Sequence, residues 1–226
     1  MRHLTLDYRL EGDRRGYAFT TPTDDLDPET VKALWRGAMP RGQGWDDPLL
    51  IGARSLKCFS APSGEIALAE VIVTDMRDET GRMGIRRAEI GLRAPAEHDA
   101  HLRARLSTLP PALIADAEAR LTSREWALLF KKQRRHQPPR SVVKPQTILT
   151  APYSSEMWAF VEACILLLAS RTTLLTNLIE VSPAVNPFAD RALSFTTLAL
   201  DARDETRLIA IPQHRLPENT PAVRVG

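Results

Sequence analysis

The apolar positions of the chain follow three patterns. From His3 to Leu10 they alternate, with Leu4, Leu6, Tyr8 and Leu10 on one side, as in a strand with one buried face. The stretch Glu11-Gly12-Asp13-Arg14-Arg15-Gly16 reads as a turn, and Tyr17 to Thr21 as the returning strand. From Ile66 to Met76 the apolar run is nearly continuous, with Ala67, Ala69 and Ile72 filling between Ile66, Leu68, Val71 and Val73. Such a run predicts a strand buried on both faces. Ile85 to Arg93 alternates again, Ala88, Ile90 and Leu92 against Arg87, Glu89 and Arg93, which predicts a half-exposed strand. Between the two strands lies RDETGRMG, where Gly81 and Gly84 permit the reversal because glycine tolerates positive φ. The rest of the chain is expected to pack around this hairpin.

The third pattern is helical. Asp27-Pro28-Glu29 supplies an N-cap, a first-turn proline and an acidic residue for the dipole, with Val31, Leu34 and Trp35 as the packing stripe. Leu49 to Ala53 and Leu56 to Phe59 are short apolar runs, the second an expected strand that carries Cys58. Pro95-Ala96-Glu97 opens a helix with Leu102, Leu106 and Leu109 on one face, and Pro110-Pro111 breaks it. Further helices are expected over Leu113–Leu121 and from the N-cap Ser123 onward. Residues 136–146, with Pro138, Pro139 and Pro145, read as a linker. Thr147 to Thr150 predicts a strand, and Ser154-Ser155-Glu156 caps a helix to about Ser170 that is apolar on nearly every face. Leu174 to Val181 fits strand or helix, and 182–190 reads as a loop. Leu193–Leu200 and Arg207–Ile211 are expected as antiparallel strands joined by a charged turn, followed by a polar, mobile tail from Pro212.

These elements predict an α+β fold, an antiparallel sheet with helices packed on it. Residues 1–135 supply the sheet and helices, 136–146 the linker, and 147–226 a helix-and-strand unit completing the same body.

Composition narrows the class. At 226 residues, 43% hydrophobic and 26% charged, the chain can bury a core without disulfide staples. A net charge of +2 writes no general attraction to nucleic acid into it. Cys58 and Cys164 are the only cysteines, and with no signal-peptide pattern they are expected to be reduced and buried in a cytoplasmic protein. No run is long enough to span a bilayer.

The candidate chemistry is sparse. No G-x-S-x-G elbow, G-x-G-x-x-G after a strand, or H-E-x-x-H occurs, and the loop Pro40–Trp45 lacks the lysine and hydroxyl of a phosphate-binding loop. His98, Asp99 and His101 are the one cluster of metal-ligand types. They lack identifiable further ligands, so a solvated helical turn is expected there, with no metal and no cofactor. Trp45 is either a core plug or an exposed anchor for a partner. The hairpin tip carries Asp78, Arg82, Arg86 and Arg87, suited to surface ion pairs on a solvated turn, or to holding a metal, a phosphate or a protein partner. Lys131, Lys132, Arg134, Arg135, Arg140 and Lys144 form the most basic segment, suited to a helix C-terminus or to phosphate or nucleic-acid contact.

Asp78, Gly81, Arg82 and Gly84, in a D-x-x-G-R-x-G arrangement, resemble a segment of the N-terminal domain of GTPase-associated adaptor proteins of bacterial conflict systems. Arg2-His3-Leu4 with Arg15-Gly16-Tyr17-Ala18-Phe19 resembles that domain's opening strands, and Leu193-Ser194-Phe195-Thr196-Thr197 a late strand. The asparagine and histidine expected after the last glycine are replaced, Ile85 standing in the first place and Ala88 or Glu89 in the second. The resemblance implies a non-enzymatic adaptor whose partner is a GTPase or effector, with Trp45, Asp78, Arg82, Arg86 and Arg87 as contact candidates. The alternative is a phosphate- or nucleic-acid-binding protein using residues 131–144.

Overall fold

The computed structural model describes residues 2–9, 16–39, 43–122, 147–170, 194–200, 206, 208–218, 220 and 222–225. The fold is α+β, with nine strands in one mostly antiparallel sheet ordered β2-β1-β5-β4-β3-β7-β8-β6-β9. The strands are β1 (Arg2–Arg9), β2 (Gly16–Phe19), β3 (Arg54–Ser60), β4 (Ile66–Val73), β5 (Arg86–Arg93), β6 (Thr147–Ala151), β7 (Phe195–Thr196), β8 (Leu208–Pro212) and β9 (Val223–Arg224). The helices are α1 (Pro28–Ala38), α2 (Pro95–Leu106), α3 (Pro111–Thr122) and α4 (Ser155–Ala169).

The β4–β5 hairpin lies inside the sheet, with β1 beyond β5 and β3 beyond β4. Its eight paired residues run from Ile66 opposite Arg93 to Val73 opposite Arg86. The two faces of β4 serve two cores. Ala67, Ala69 and Val71 join Leu4, Leu6, Ala88, Ile90 and Leu92 beneath α1, whereas Ile66 and Leu68 join the larger core that contains α4. This division is why the β4 run is apolar without alternating.

The helix boundaries follow local chemistry. Asp27 caps α1 by accepting the Thr30 N–H at 2.9 Å, and Pro28 occupies the first turn. The buried stripe of α1 is Thr30, Leu34 and Ala38, while Trp35 is turned outward. The expected stripe through Trp35 is therefore corrected. A side chain at Gly37 would meet the Phe59 ring at 2.5 Å, so close approach to β3 favours the Leu34–Ala38 face. Ser154 caps α4 by accepting the Met157 N–H at 3.2 Å. From Ala163 to Ala169 every residue of α4 is buried, because α2 and α3 pack against it and the sheet lies beneath.

Three other expectations are corrected. β7 and β8 are parallel, Phe195 opposite Leu208 and Thr196 opposite Ile209. A parallel return needs a crossover of about a dozen residues. In sequence, residues 197–207 separate β7 from β8. The tail is not a free extension: β9 pairs in parallel with β6, and Val223 and Val225 are buried, while Gln213, His214, Pro217 and Glu218 are exposed. His98 is also buried, with Cys58 Sγ 3.6 Å from its Nε2, so of the turn expected to be solvated His98 is not, while Glu97 is exposed. The expected helix from Ser123, the linker 136–146, the segment 174–181 and the loop 182–190 lie outside the described residues.

Candidate functional site

One end of the sheet collects most of the unusual side chains. Its last row runs from Tyr17 on β2, opposite Tyr8 on β1, to Arg86 on β5 and Val73 on β4. The Val73 N–H then donates to Ala53 O at 3.0 Å, and the Gly52 N–H to Val73 O at 2.8 Å. The loop 43–52 is thereby fixed over this end. Asp47 organises it: its carboxylate accepts the Leu49 N–H at 3.0 Å, with Pro48 opening a short 3-10 turn. This repeats the Asp27-Pro28 start signal of α1.

A continuous set of contacts crosses the end. Tyr8 and Tyr17 meet edge to face with centroids 5.3 Å apart. The Arg86 N–H donates to Tyr17 Oη at 3.0 Å. The Arg86 guanidinium stands 6.0 Å from the Tyr17 ring centre and 5.0 Å from that of Trp45. Gly84, at φ +87°, lets the hairpin reach the Trp45 backbone; a Cβ there would lie 2.4 Å from the Trp45 carbonyl. Arg215 reaches Asp47 Oδ2 at 2.7 Å. Tyr153 follows β6, and its ring centre lies 5.3 Å from that of Trp158 on α4.

The charges are settled by these contacts. The Leu49 N–H and the Arg215 guanidinium hold the Asp47 carboxyl below the usual carboxylate range. The hydrogen bond that the Tyr8 phenol donates to Glu79, then desolvation and the Glu79 charge, push the phenol up to about 12. Burial, then the Asp47 charge, raises Tyr153. Asp78 Oδ1 accepts from the Thr80 hydroxyl at 2.7 Å, the Thr80 N–H at 2.8 Å and the Arg82 N–H at 2.9 Å. These bonds lower the Asp78 pKa and close the turn, with Gly81 at φ +80°. The D-x-x-G-R arrangement is thus turn-forming chemistry.

The sequence candidates therefore separate. Trp45 is 6% exposed; it is a plug under Arg86, and its reading as an exposed anchor is corrected. Arg86 packs with it. Asp78 shapes the tip, and Arg82 is exposed on it. Arg87 stands apart on the open polar face of β5, 2.8 Å from Glu89 and 3.9 Å from Asp7. Lys131, Lys132, Arg134, Arg135, Arg140 and Lys144 lie outside the described residues.

The same end carries every exposed large apolar side chain among the described residues: Leu49 at 76%, Trp35 at 45%, Ile51 at 42% and Met76 at 39% exposure. Leu49 and Ile51 belong to the loop, Met76 follows β4, and Trp35 reaches the row by donating from Nε1 to Tyr17 O at 3.1 Å. Sequence reasoning missed this set because apolar residues in short runs read as core. The Asp47-Pro48 start signal was the available hint that Leu49 sits on a turn.

The edge strand is blunted. Tyr17 O is taken by Trp35 and Phe19 O by Arg9, at 3.0 Å. Contact at this end would rest on side chains, since strand addition needs free edge carbonyls. Burial raises both thiols, Cys164 to about 12, so neither is presented as a nucleophile. Among the described residues, no group of three or more His, Cys, Asp and Glu could hold a metal ion, and no helix is long and apolar enough to cross a membrane. No family model, curated protein or solved structure matches the chain.

Proposed function

We propose that this chain is a non-enzymatic protein-interaction (adaptor) domain that docks a protein partner at the Trp45 end of its sheet. The observation that carries the reading is the gathering of Trp35, Leu49, Ile51 and Met76, all exposed, at that one end. Single exposed apolar residues are ordinary, but a set of large ones in one place favours a contact surface. The rigid floor of Arg86, Trp45 and Tyr17 supports it, because a preorganised surface loses less entropy on binding. On the resemblance of the hairpin, the partner we propose is a GTPase or effector of a bacterial conflict system.

The test is a pull-down from native lysate at low and high salt, comparing wild type with a Leu49→Asp, Ile51→Asp double variant of unchanged circular dichroism. The expected result is a GTPase or effector retained by wild type at both salts and lost from the variant. An apolar contact resists salt, whereas phosphate contacts weaken steeply. Recovery of nucleic acid alone, lost at high salt and indifferent to the variant, would overturn the adaptor reading in favour of residues 131–144.

A further inference from the structure

We propose that the seam between α2 and α4 is a proton-responsive clamp, in which one guanidinium, Arg105, is divided between two carboxylates, Glu70 and Glu162. The groups form a row of alternating charge through the seam. Arg54 Nη1 lies 3.0 Å from Glu70 Oε1, Arg105 Nη2 lies 3.3 Å from the same oxygen, and Arg105 Nε lies 3.5 Å from Glu162 Oε1. Arg54 is at the solvent end and Glu162 at the inner end. The Glu162 Oε1 and Arg105 Nε atoms are both buried, and neither makes a hydrogen bond.

Arg105 cannot serve both acids fully. Glu70 has a second cation in Arg54, but among the described residues the one cation within ion-pair distance of Glu162 is Arg105, through Nε at 3.5 Å. The charged groups that face Glu162 are Arg105 from α2, Glu70 from β4 and Arg54 from β3; Arg120 of α3 acts on Cys164. A buried carboxylate without complete pairing is costly in its charged form. Burial accordingly raises Glu162 above its ordinary 4.5, and the negative charge of Glu70 adds to the rise against the pull of Arg105. With a proton on Glu162, Arg105 is free to commit to Glu70 and α4 seats without a buried unpaired charge. When the proton leaves, the carboxylate draws Arg105 or water toward it and the seam loosens.

The sign follows from linkage. A carboxyl raised in the folded state binds its proton more tightly folded than unfolded. Its contribution therefore stabilises the fold as pH falls through the raised value, and is complete below 4.5.

The test measures Tm from pH 4.5 to neutrality for the wild-type chain, Glu162→Gln and Glu70→Gln. Subtracting Glu162→Gln from wild type removes the histidines common to both. Glu162→Gln, which mimics the protonated acid, is expected to melt about 2–4 °C above wild type at neutral pH, with the gap closing toward pH 4.5. Glu70→Gln leaves Arg105 to Glu162 alone and is expected to flatten the wild-type dependence. Exchange of α4 amides, corrected for intrinsic rates, is expected to quicken toward neutrality in wild type and not in Glu162→Gln. A gap that stays constant across the range would overturn the clamp. So would a Glu70→Gln profile parallel to wild type, which stands as the test if Glu162→Gln fails to fold.

Discussion

The antiparallel strands β1–β5 and the parallel strands β6–β9 share one sheet but are held in it differently. β4 is bonded along its whole length on both sides, from Arg54 opposite Ile72 through Ser60 opposite Ile66 on one, and across all of β5 on the other. β7 pairs with β3 and β8 through Phe195 and Thr196 alone. Beyond those two residues single backbone bonds continue, Thr197 N–H to Leu56 O and Ala199 N–H to Ala210 O, each at 2.8 Å, and side chains reinforce them. The Ser55 hydroxyl donates to Leu198 O at 2.9 Å and accepts the Leu198 N–H at 3.2 Å. Thr197 Oγ1 accepts the Leu56 N–H at 2.8 Å. In the next strand pair Thr150 donates to Ile211 O at 2.8 Å. Long strands are specified by their own periodicity; short ones are specified by buried hydroxyls that meet backbone far away in sequence.

The largest test of this difference is Phe195→Ala. Phe195 is fully buried at the junction of the two halves, and its truncation is expected to cost about 3–5 kcal/mol in denaturant unfolding. Separate unfolding transitions for the two halves in that variant would show that β7 alone joins them, whereas a single transition would show that the α4 core also does.

Gly84→Ala tests the antiparallel half at its tip. The added Cβ meets the Trp45 backbone and sits at φ +87°, so a loss of about 3 kcal/mol is expected. Fluorescence of Trp45 should move to the red, because the loop must lift. Ser55→Ala removes both bonds to Leu198 and leaves its buried N–H and C=O unpaired there, for about 2 kcal/mol in the same unfolding assay. A near-neutral result would show that the hydroxyl bonds are dispensable to the parallel half.

The smallest effect concerns Asp47. Its pKa is lowered in the fold from 3.8, so its stabilising contribution is present above 3.8 and is lost as pH falls through the folded value. Acid titration followed at the Leu49 amide by NMR should show the loop releasing below pH 3.8. In Asp47→Asn that step should be absent.

Legibility in the sequence followed the same divide. Alternation at Leu4, Leu6, Ala88, Ile90 and Leu92 predicted which faces are buried, and Asp27 and Ser154 marked the helix starts. The parallel pairing of β7 and β8 was not legible, because a two-residue strand has no period. Leu49, Ile51 and Met76 looked like core, since burial depends on what covers a residue and not on its type. Trp45 allowed two readings until Arg86 and Gly84 were seen to close over it. His98 looked solvated because its partner, Cys58, is distant in the chain.

By itself, then, the sequence determined the α+β class, the β4–β5 hairpin with its Asp78-Gly81 turn, and the capped helices α1 and α4. These depend on interactions within a few residues or on regular periods. Only the tertiary structure decided the strand order, the burial of Trp45 and His98, the sharing of Arg105 between Glu70 and Glu162, and the gathering of Trp35, Leu49, Ile51 and Met76 at one end. Each of these depends on which distant segments meet, and close packing fixes that for the whole chain at once.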